Sequence, residues 1–321
     1  MHQIARELPE HEHTFTPYYC DGLLDLARRC RLMEFTTAGN KLVRRCLDYL
    51  ERERLPIDRG GRNGPYDLAL TCSDLVVPRN LRRRPLVLVQ EGILDPEGWE
   101  YGLWRRLPVL PRWIAGTATT GQSLAYQRFC VASEGYRDHF VSRGIPAERI
   151  AVTGIPNFDD CRRFLENDFP HRGYVLVCSS DARETLKRDD RAAFLRRCVE
   201  IAAGRQLVFK LHPNEDAERA TLEIHALVPE ALVFARGSAE QMIANCDVLV
   251  TQYSSTVFVG LALGKECHSY WDTAELRRLM PLQHGRAARE IAAVCRQVLE
   301  ESAAGQRSSW GEVAVAGAEA P

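Results

Sequence analysis

Two short polar stretches each follow an apolar run and carry side chains that suit an anion. Lys210-Leu211-His212-Pro213 follows Leu207–Phe209, and Thr251–Thr256 (TQYSST) follows Val248–Val250 and opens an apolar helical segment. The first offers a cation and a ring nitrogen, and the second offers hydroxyls beside the unpaired backbone N–H groups of a helix start. We therefore predict a phosphate-bearing ligand here. The predicted binding residues are Lys210, His212, Pro213, Ser254, Ser255 and Thr256.

Each stretch also has an ordinary structural interpretation. A Ser-Ser pair in front of a helix is commonly an N-cap, and a histidine after a strand is commonly a structural side chain. The two stretches are one βαβα step apart and both follow predicted strands, which favours a ligand site. A third polar loop, SSDARE, follows Tyr174–Cys178 and adds Ser179, Ser180 and Arg183. That loop either faces the same phosphate or is an ordinary capped turn.

Glu91 is the candidate for proton transfer. It follows the apolar run Pro85–Gln90 and precedes Gly92, so it lies at the carboxyl end of a predicted buried strand. A general base needs a rigid support and open space beside it, and this position offers both. The alternative is a surface glutamate that pairs with one of the arginines 82–84.

Near-continuous apolar runs of strand length alternate with segments of helical spacing along most of the chain. This pattern predicts βαβ units around buried parallel sheets. The fold class that we predict is α/β, with two Rossmann-like doubly wound domains. We place the first domain at 1–160, the second at 161–302 and a disordered tail at 303–321, and we expect residues 1–13 to be loose.

Residues 97–126 mix tryptophan, arginine, proline and glycine without clean periodicity. We interpret them as an irregular loop that lines an acceptor site or touches the inner surface of the membrane. The nearby basic residues either belong to this acceptor-binding or membrane-contacting surface or are simply solvated. They are Arg82, Arg83, Arg84, Arg105, Arg106 and Arg112.

Composition narrows the class of protein. The formal net charge of −1 gives no indication of nucleic-acid binding. The 11 cysteines form no Cys-x-x-Cys pair, which favours buried thiols in a reducing compartment. No Asp-x-Asp pair follows a predicted strand, so we expect neither a metal nor another cofactor. The start has no apolar leader and no run is long enough for a membrane span, which predicts a cytoplasmic protein.

Several motifs between residues 66 and 270 resemble the GT-B superfamily of nucleotide-sugar glycosyltransferases. SEGYRDHFVSRGIPAERIAVTGIPNFD and TQYSSTVFVGLALGKE are similar to CDP-glycerol glycerophosphotransferases. The combination of Glu91-Gly92, His212-Pro213 and Ser254-Ser255 is similar to bacterial sialyl- and Kdo-transferases. The segment around Gly154 is shared with non-hydrolysing UDP-N-acetylglucosamine 2-epimerases.

The resemblance implies that the two domains face each other across a cleft, with 1–160 as the acceptor-side domain and 161–302 as the nucleotide-donor domain. It also implies that Gly154, His212 and Ser254-Ser255 belong to the donor site and that Glu91 deprotonates the acceptor. Glycerophosphotransferases have His-Gly in place of Glu91-Gly92, and the epimerases have Ser-Gly-Gly in place of Ser254–Thr256. The leading hypothesis is an inverting, metal-independent glycosyltransferase that uses a nucleotide-activated sugar and a glycan or lipid-linked acceptor. The alternatives are a 2-epimerase, a CDP-glycerol glycerophosphotransferase, or a non-catalytic nucleotide-sugar binding protein.

Overall fold

The computed structural model describes residues 1–17, 20–32, 39–82, 84–94, 97–107, 109–180, 182–184 and 189–316, with backbone alone for 40–42 and 305–316. Contacts divide the chain into two compact units. The first unit contains Met1–Asn157 and Arg286–Pro321, and the second contains Phe158–Gly285. Of the arginines noted above, Arg83 lies outside the described residues, as does the end of the predicted tail, 317–321.

Helices and strands alternate through both units. The elements up to residue 157 are α1 (His2–Arg6), α2 (Gly22–Arg29), α3 (Asn40–Arg52), β1 (Ala69–Thr71), β2 (Leu86–Val89), α4 (Trp99–Arg106), β3 (Arg128–Val131), α5 (Glu134–Ser142) and β4 (Ile150–Val152). Those that follow are β5 (Val175–Cys178), α6 (Arg191–Ala202), β6 (Leu207–Lys210), α7 (Ala217–Leu227), β7 (Leu232–Phe234), α8 (Ala239–Asn245), β8 (Val248–Thr251), α9 (Val257–Ala262), β9 (Glu266–His268), α10 (Thr273–Arg278) and α11 (Ala287–Ala316). Short 3-10 helices span Arg112–Thr119, Ala147–Arg149 and Cys161–Phe164.

Both sheets are parallel, which confirms the predicted α/β class. The first sheet has the order β1-β2-β3-β4, and the second has the order β7-β6-β5-β8-β9. All four residues of β2, of β5, of β6 and of β8 are buried, as expected for strands covered on both faces. The apolar runs therefore located these strands correctly.

The C-terminal helix α11 packs in the first unit, against β2, β3 and α1. Ile291, Cys295 and Val298 lie on its fully buried face. The predicted second domain, 161–302, instead included this helix up to residue 302. The backbone of α11 continues to Ala316, whereas a disordered segment is expected from 303. Amphipathic spacing identifies such a helix without indicating which core receives its apolar face.

The prediction that residues 1–13 are loose is wrong, because the segment is anchored by its apolar and acidic side chains. Ile4 and Leu8 are buried. Arg296 of α11 donates to the Glu10 carboxylate at 2.6 Å and to the Glu7 carbonyl at 2.7 Å. The hydrogen bond from Arg296 lowers the pKa of Glu10 to about 2.

The segment 97–126 is also more regular than predicted, since it forms α4 and the 3-10 helix Arg112–Thr119. Tyr101 and Trp104 of α4 pack against Ala115 and Ala118. Tertiary packing therefore supports a helix that sequence periodicity does not reveal. Across the described residues, none of the helices has the length and apolar character needed to cross a membrane.

A glycine in α9 permits close packing against the second sheet. A Cβ added to Gly260 would lie 2.7 Å from Cys267 Sγ and 2.7 Å from Leu249 Cδ2. We expect Gly260→Ala to lower the free energy of unfolding by about 1–3 kcal/mol through overpacking, measured by urea denaturation. Gly102→Ala is the control, because nothing lies within 4 Å of that added Cβ. Equal stability of Gly260→Ala and the wild type would contradict this packing.

Candidate functional site

The second sheet reverses its strand order between β5 and β8. In open parallel sheets, ligands bind in the crevice outside the carboxyl ends of the strands at such a reversal. A hydrogen bond joins the loops that leave them, since Ser180 Oγ donates to Gln252 Oε1 at 2.5 Å. Gln252 Nε2 donates in turn to Asp189 Oδ1 at 2.8 Å. The polar loops after two neighbouring strands are thus held together where parallel sheets commonly bind ligands.

The loop after β6 brings His212 next to the loop after β5. The backbone N–H of His212 donates to Ser179 Oγ at 3.0 Å. The backbone N–H of Asn214 donates to His212 Nδ1 at 3.2 Å, so Nδ1 acts as an acceptor. In the neutral ring the proton is then on Nε2, which makes this nitrogen a hydrogen-bond donor.

A buried carboxylate, Glu215, binds the loop after β5 through Ser179. Ser179 Oγ donates to Glu215, and Arg191 Nη2 lies 3.1 Å from Glu215 Oε1. Glu215 is buried, and burial raises the pKa of its carboxyl group above the ordinary value. Ser179 therefore links Glu215 to the backbone of His212.

Arg183 belongs to the same charged cluster. Its guanidinium donates to both oxygens of Glu223, at 2.8 and 2.9 Å. This hydrogen-bonded pairing with Glu223 raises the pKa of Arg183. A bidentate contact of this kind fixes the guanidinium plane, so the structure gives Arg183 a structural partner within its own unit.

The hydroxyl-rich turn after β8 is partly closed on itself. Ser254 Oγ and Thr256 Oγ1 are 2.9 Å apart, and the backbone N–H of Phe258 donates to the Ser255 carbonyl at 3.1 Å. The helix that follows, α9, has six residues. Its dipole is correspondingly small, so hydroxyls and loop amides are the main anion donors that this turn can supply. The Thr251 hydroxyl, at the end of β8, is buried and has no hydrogen-bond partner within the described residues.

Lys210 ends β6 with its side chain inside the protein. The residue is buried, and Nζ donates to the Leu211 carbonyl at 2.9 Å. Burial lowers the pKa of this lysine, because the charged form loses hydration. Pro213, the residue after His212, is exposed.

In the first unit, Glu91 follows β2 at the carboxyl edge of the sheet. The residue is exposed, and partial loss of hydration raises the pKa of its carboxyl group above the ordinary value. Together with burial, the Glu91 charge raises the pKa of Cys72, just after neighbouring β1, to about 11. No residue that the structure describes forms an ion pair with Glu91, and Arg82 donates instead to the Val77 carbonyl.

Gln90 positions the turn that carries Glu91. This buried side chain donates from Nε2 to the Gly92 carbonyl at 2.9 Å and accepts from the Ala132 N–H at 2.9 Å.

Gly154 lies in the same unit, just after β4, with a φ of 71° that favours glycine. The candidate residues thus fall into two groups. Glu91 and Gly154 are in the first unit, and the remainder are in the second.

Sequence reasoning did not identify Gln90, Gln252 and Glu215 as site residues. Gln252 lies within the TQYSST stretch, so its place after a strand was a usable signal. Gln90 and Glu215 act through hydrogen bonds to loops, which spacing alone does not reveal. Within the described residues, no group of three or more His, Cys, Asp or Glu side chains is arranged to hold a metal ion.

No family model matches the chain, and no curated protein matches it in sequence. Similar solved structures include a putative UDP-N-acetylglucosamine 2-epimerase from Listeria monocytogenes (14% identity, TM-score 0.49, covering 93% of this chain and 84% of that one). Another is a variant of the wall teichoic acid polymerase TagF (12% identity, TM-score 0.49, covering 77% and 78%). A third is the UDP-GlcNAc 2-epimerase from Neisseria meningitidis (13% identity, TM-score 0.48, covering 79% and 80%). At such values, the activities of these enzymes do not transfer to this chain.

The bridge between Ser180 and Gln252 is testable by a double-mutant cycle. We expect Ser180→Ala and Gln252→Ala to show a coupling free energy of about 0.5–1.5 kcal/mol in urea denaturation, because each removes the same hydrogen bond. Ser180→Ala combined with Ser238→Ala is the control pair, since Ser238 caps α8 and contacts Gln241 instead. Additive effects for Ser180 and Gln252 would show that the bridge does not form.

Proposed function

We propose that the chain is an inverting, metal-independent glycosyltransferase. It moves a sugar or sugar-like group from a nucleotide-activated donor to a hydroxyl of a glycan or lipid-linked acceptor. The observation that carries the proposal is the hydrogen bond that joins the loops after β5 and β8 at the reversal of strand order, with His212 hydrogen-bonded to the first of these loops. Crevices at a reversal of strand order are where parallel α/β sheets bind nucleotides.

The donor phosphates are assigned to this crevice. Negative charge develops on the leaving phosphate as the sugar is transferred, and fixed donors that point at it stabilise the transition state. The assigned donors are the Nε2–H of His212, the Ser255 hydroxyl and one hydroxyl of the Ser254–Thr256 pair, because the other hydroxyl of that pair donates within it. Ser180 gives its proton to Gln252 and so holds the two loops together at the phosphate site. Ser179 and Glu215 hold the His212 loop in place, and Arg183 orders the cluster behind it.

Glu91 is assigned as the general base that takes the proton from the acceptor hydroxyl. Support comes from its place at the carboxyl edge of a buried strand, from the turn fixed by Gln90, and from its raised pKa. A base whose pKa is raised towards neutrality accepts a proton more readily than an ordinary glutamate. With a single base, the acceptor oxygen displaces the phosphate directly in one step. The configuration at the transferred sugar carbon is therefore inverted.

The proposal is tested first by a binding and turnover screen. We expect one nucleotide among CMP, CDP, UDP and GDP to raise the melting temperature, and its sugar to be consumed in EDTA when an acceptor is present. Conversion of the sugar to an epimer without an acceptor would establish the epimerase activity instead. Binding without any turnover would indicate a non-catalytic protein, and rescue of EDTA-treated enzyme by Mg²⁺ or Mn²⁺ would refute metal independence.

His212→Ala tests the phosphate assignment. The substitution removes a hydrogen bond worth about 1–3 kcal/mol, so we expect nucleotide affinity to fall about 5- to 100-fold by isothermal titration. His225→Ala is the matched control, because His225 Nε2 contacts the Ala231 carbonyl at the end of α7. Unchanged affinity in His212→Ala, or an equal loss in both variants, would refute the role of His212.

Glu91→Gln tests the general base. We expect turnover to fall about 10²- to 10⁴-fold with nucleotide affinity retained. The wild-type activity should be lost on acidification at a higher pH than for an ordinary glutamate, because the raised pKa must be exceeded for Glu91 to accept a proton. Glu134→Gln, at the exposed start of α5, is the control.

The pH dependence of protein stability gives an independent measurement of the Glu91 carboxyl group. A raised folded-state pKa means that protonation favours the folded state, so stability should fall as pH rises through the pKa of Glu91. That dependence should be reduced in Glu91→Gln, as measured by melting temperature against pH. Normal turnover in Glu91→Gln would remove this residue from the mechanism.

A further inference from the structure

The exposed face of α4 and the segment after it carry large apolar side chains. Trp99, Leu103 and Leu107 are spaced four residues apart, which places them on one face, and they are 75%, 37% and 50% exposed. In the segment after α4, the apolar side chains of Val109 and Trp113 are 86% and 45% exposed. We call these five residues the apolar stripe. Leaving such side chains in water is unfavourable, so the stripe indicates a contact beyond the chain itself.

Packing within the chain does not account for the stripe, because α4 is already anchored by its other face. Tyr101 is buried there, and it packs with Trp104 against Ala115 and Ala118. The guanidinium of Arg143 lies 5.3 Å from the centre of the Tyr101 ring and adds a cation–π contact. The helix is therefore held on one side and presents the stripe on the other.

The helix that carries the apolar stripe also carries two basic residues. Arg105 and Arg106 form the last turn of α4, both are exposed, and no residue that the structure describes forms an ion pair with either. The neighbouring acidic residue Glu97 is paired with Arg143. Glu100 lies in the first turn, at the opposite end of the helix, where the dipole favours an acid. Two exposed cations, which no carboxylate of the described residues pairs with, thus lie on the helix that carries the stripe.

We propose that this surface binds an anionic membrane surface, with α4 lying in the plane of the interface. Exposed Trp and Leu on one face of a helix with unpaired arginines beside them is the composition of an interfacial helix. Indole rings suit the headgroup boundary, and arginine contacts lipid phosphates while its alkyl stem covers apolar surface. The apolar side chains are spread over Trp99 to Trp113 and are strongly exposed, which favours an extended lipid surface over an acidic protein. This inference stands independently of the proposed glycosyltransferase activity.

Vesicle flotation of the full chain tests the inference. We expect the protein to float with vesicles of phosphatidylglycerol and phosphatidylcholine at low salt, and to bind phosphatidylcholine alone more weakly. Trp99→Ser with Leu103→Ser should lower binding at least about tenfold. Arg105→Gln with Arg106→Gln should lower it about fivefold per arginine and reduce its salt dependence. Circular dichroism melts confirm that each variant is folded.

Leu222→Ser with Leu227→Ser is the matched control, since both residues are exposed leucines on α7, in the second unit. Vesicle binding by this variant should equal that of the wild type. Absence of wild-type binding to anionic vesicles, or unchanged binding by both stripe variants, would overturn the inference. So would a wild-type dimer in light scattering that becomes monomeric in Trp99→Ser with Leu103→Ser, because the stripe would then be an interface between two copies. Nucleotide affinity, measured on the same samples, reports separately on the proposed function.

Discussion

The parallel pairing of fully buried strands is the constraint on which the candidate site depends. A strand that is covered on both faces has no room for polar side chains along its length, so polar chemistry is confined to its ends. In the second unit β5, β6 and β8 end at one edge of the sheet, and their loops carry the serines, His212 and Gln252. The reversal between β5 and β8 separates the connections that leave these strands and opens the crevice between them.

The loops keep their conformation through polar groups that lie behind them. Ser179 joins the His212 backbone to Glu215, and Arg191 lies beside the same carboxylate. A buried ion pair adds little net stability, because the hydration lost by both charges offsets their attraction. Its contribution here is conformational. The cluster fixes the loops after β5 and β6 relative to each other, and that order is what a preorganised phosphate site requires.

Much of this arrangement could be predicted, because burial leaves a strong signal in sequence. The runs LVFK, VLVC and DVLV predicted β6, β5 and β8 closely, and β-strand ends follow directly from the polar residues after them. The edge strand β9 was not predicted, since its three residues include an exposed glutamate and show no apolar run. The place of α11 in the first unit also escaped prediction, as it depends on which core accepts its apolar face.

Side-chain direction was the least predictable property of the site. Lys210 and Arg183 have the residue types of phosphate ligands, and they lie at the end of β6 and in the loop after β5. The ammonium of Lys210 contacts the adjacent Leu211 carbonyl, however, and the guanidinium of Arg183 is held by Glu223, which is 40 residues away in sequence. Sequence position therefore predicted where each residue lies but not which partner its side chain contacts. Gln252 is the opposite case, because its residue type does not suggest a role in the site. Its side-chain amide nevertheless links the loop after β8 to the loop after β5 and to Asp189.

A crystal structure with a bound nucleoside diphosphate would locate the phosphates. We expect them at the reversal of the second sheet, between Ser179-Ser180 and Gln252–Thr256, with His212 Nε2 within hydrogen-bond distance of a phosphate oxygen. Phosphates bound elsewhere in either unit, with this crevice occupied only by water, would contradict this expectation.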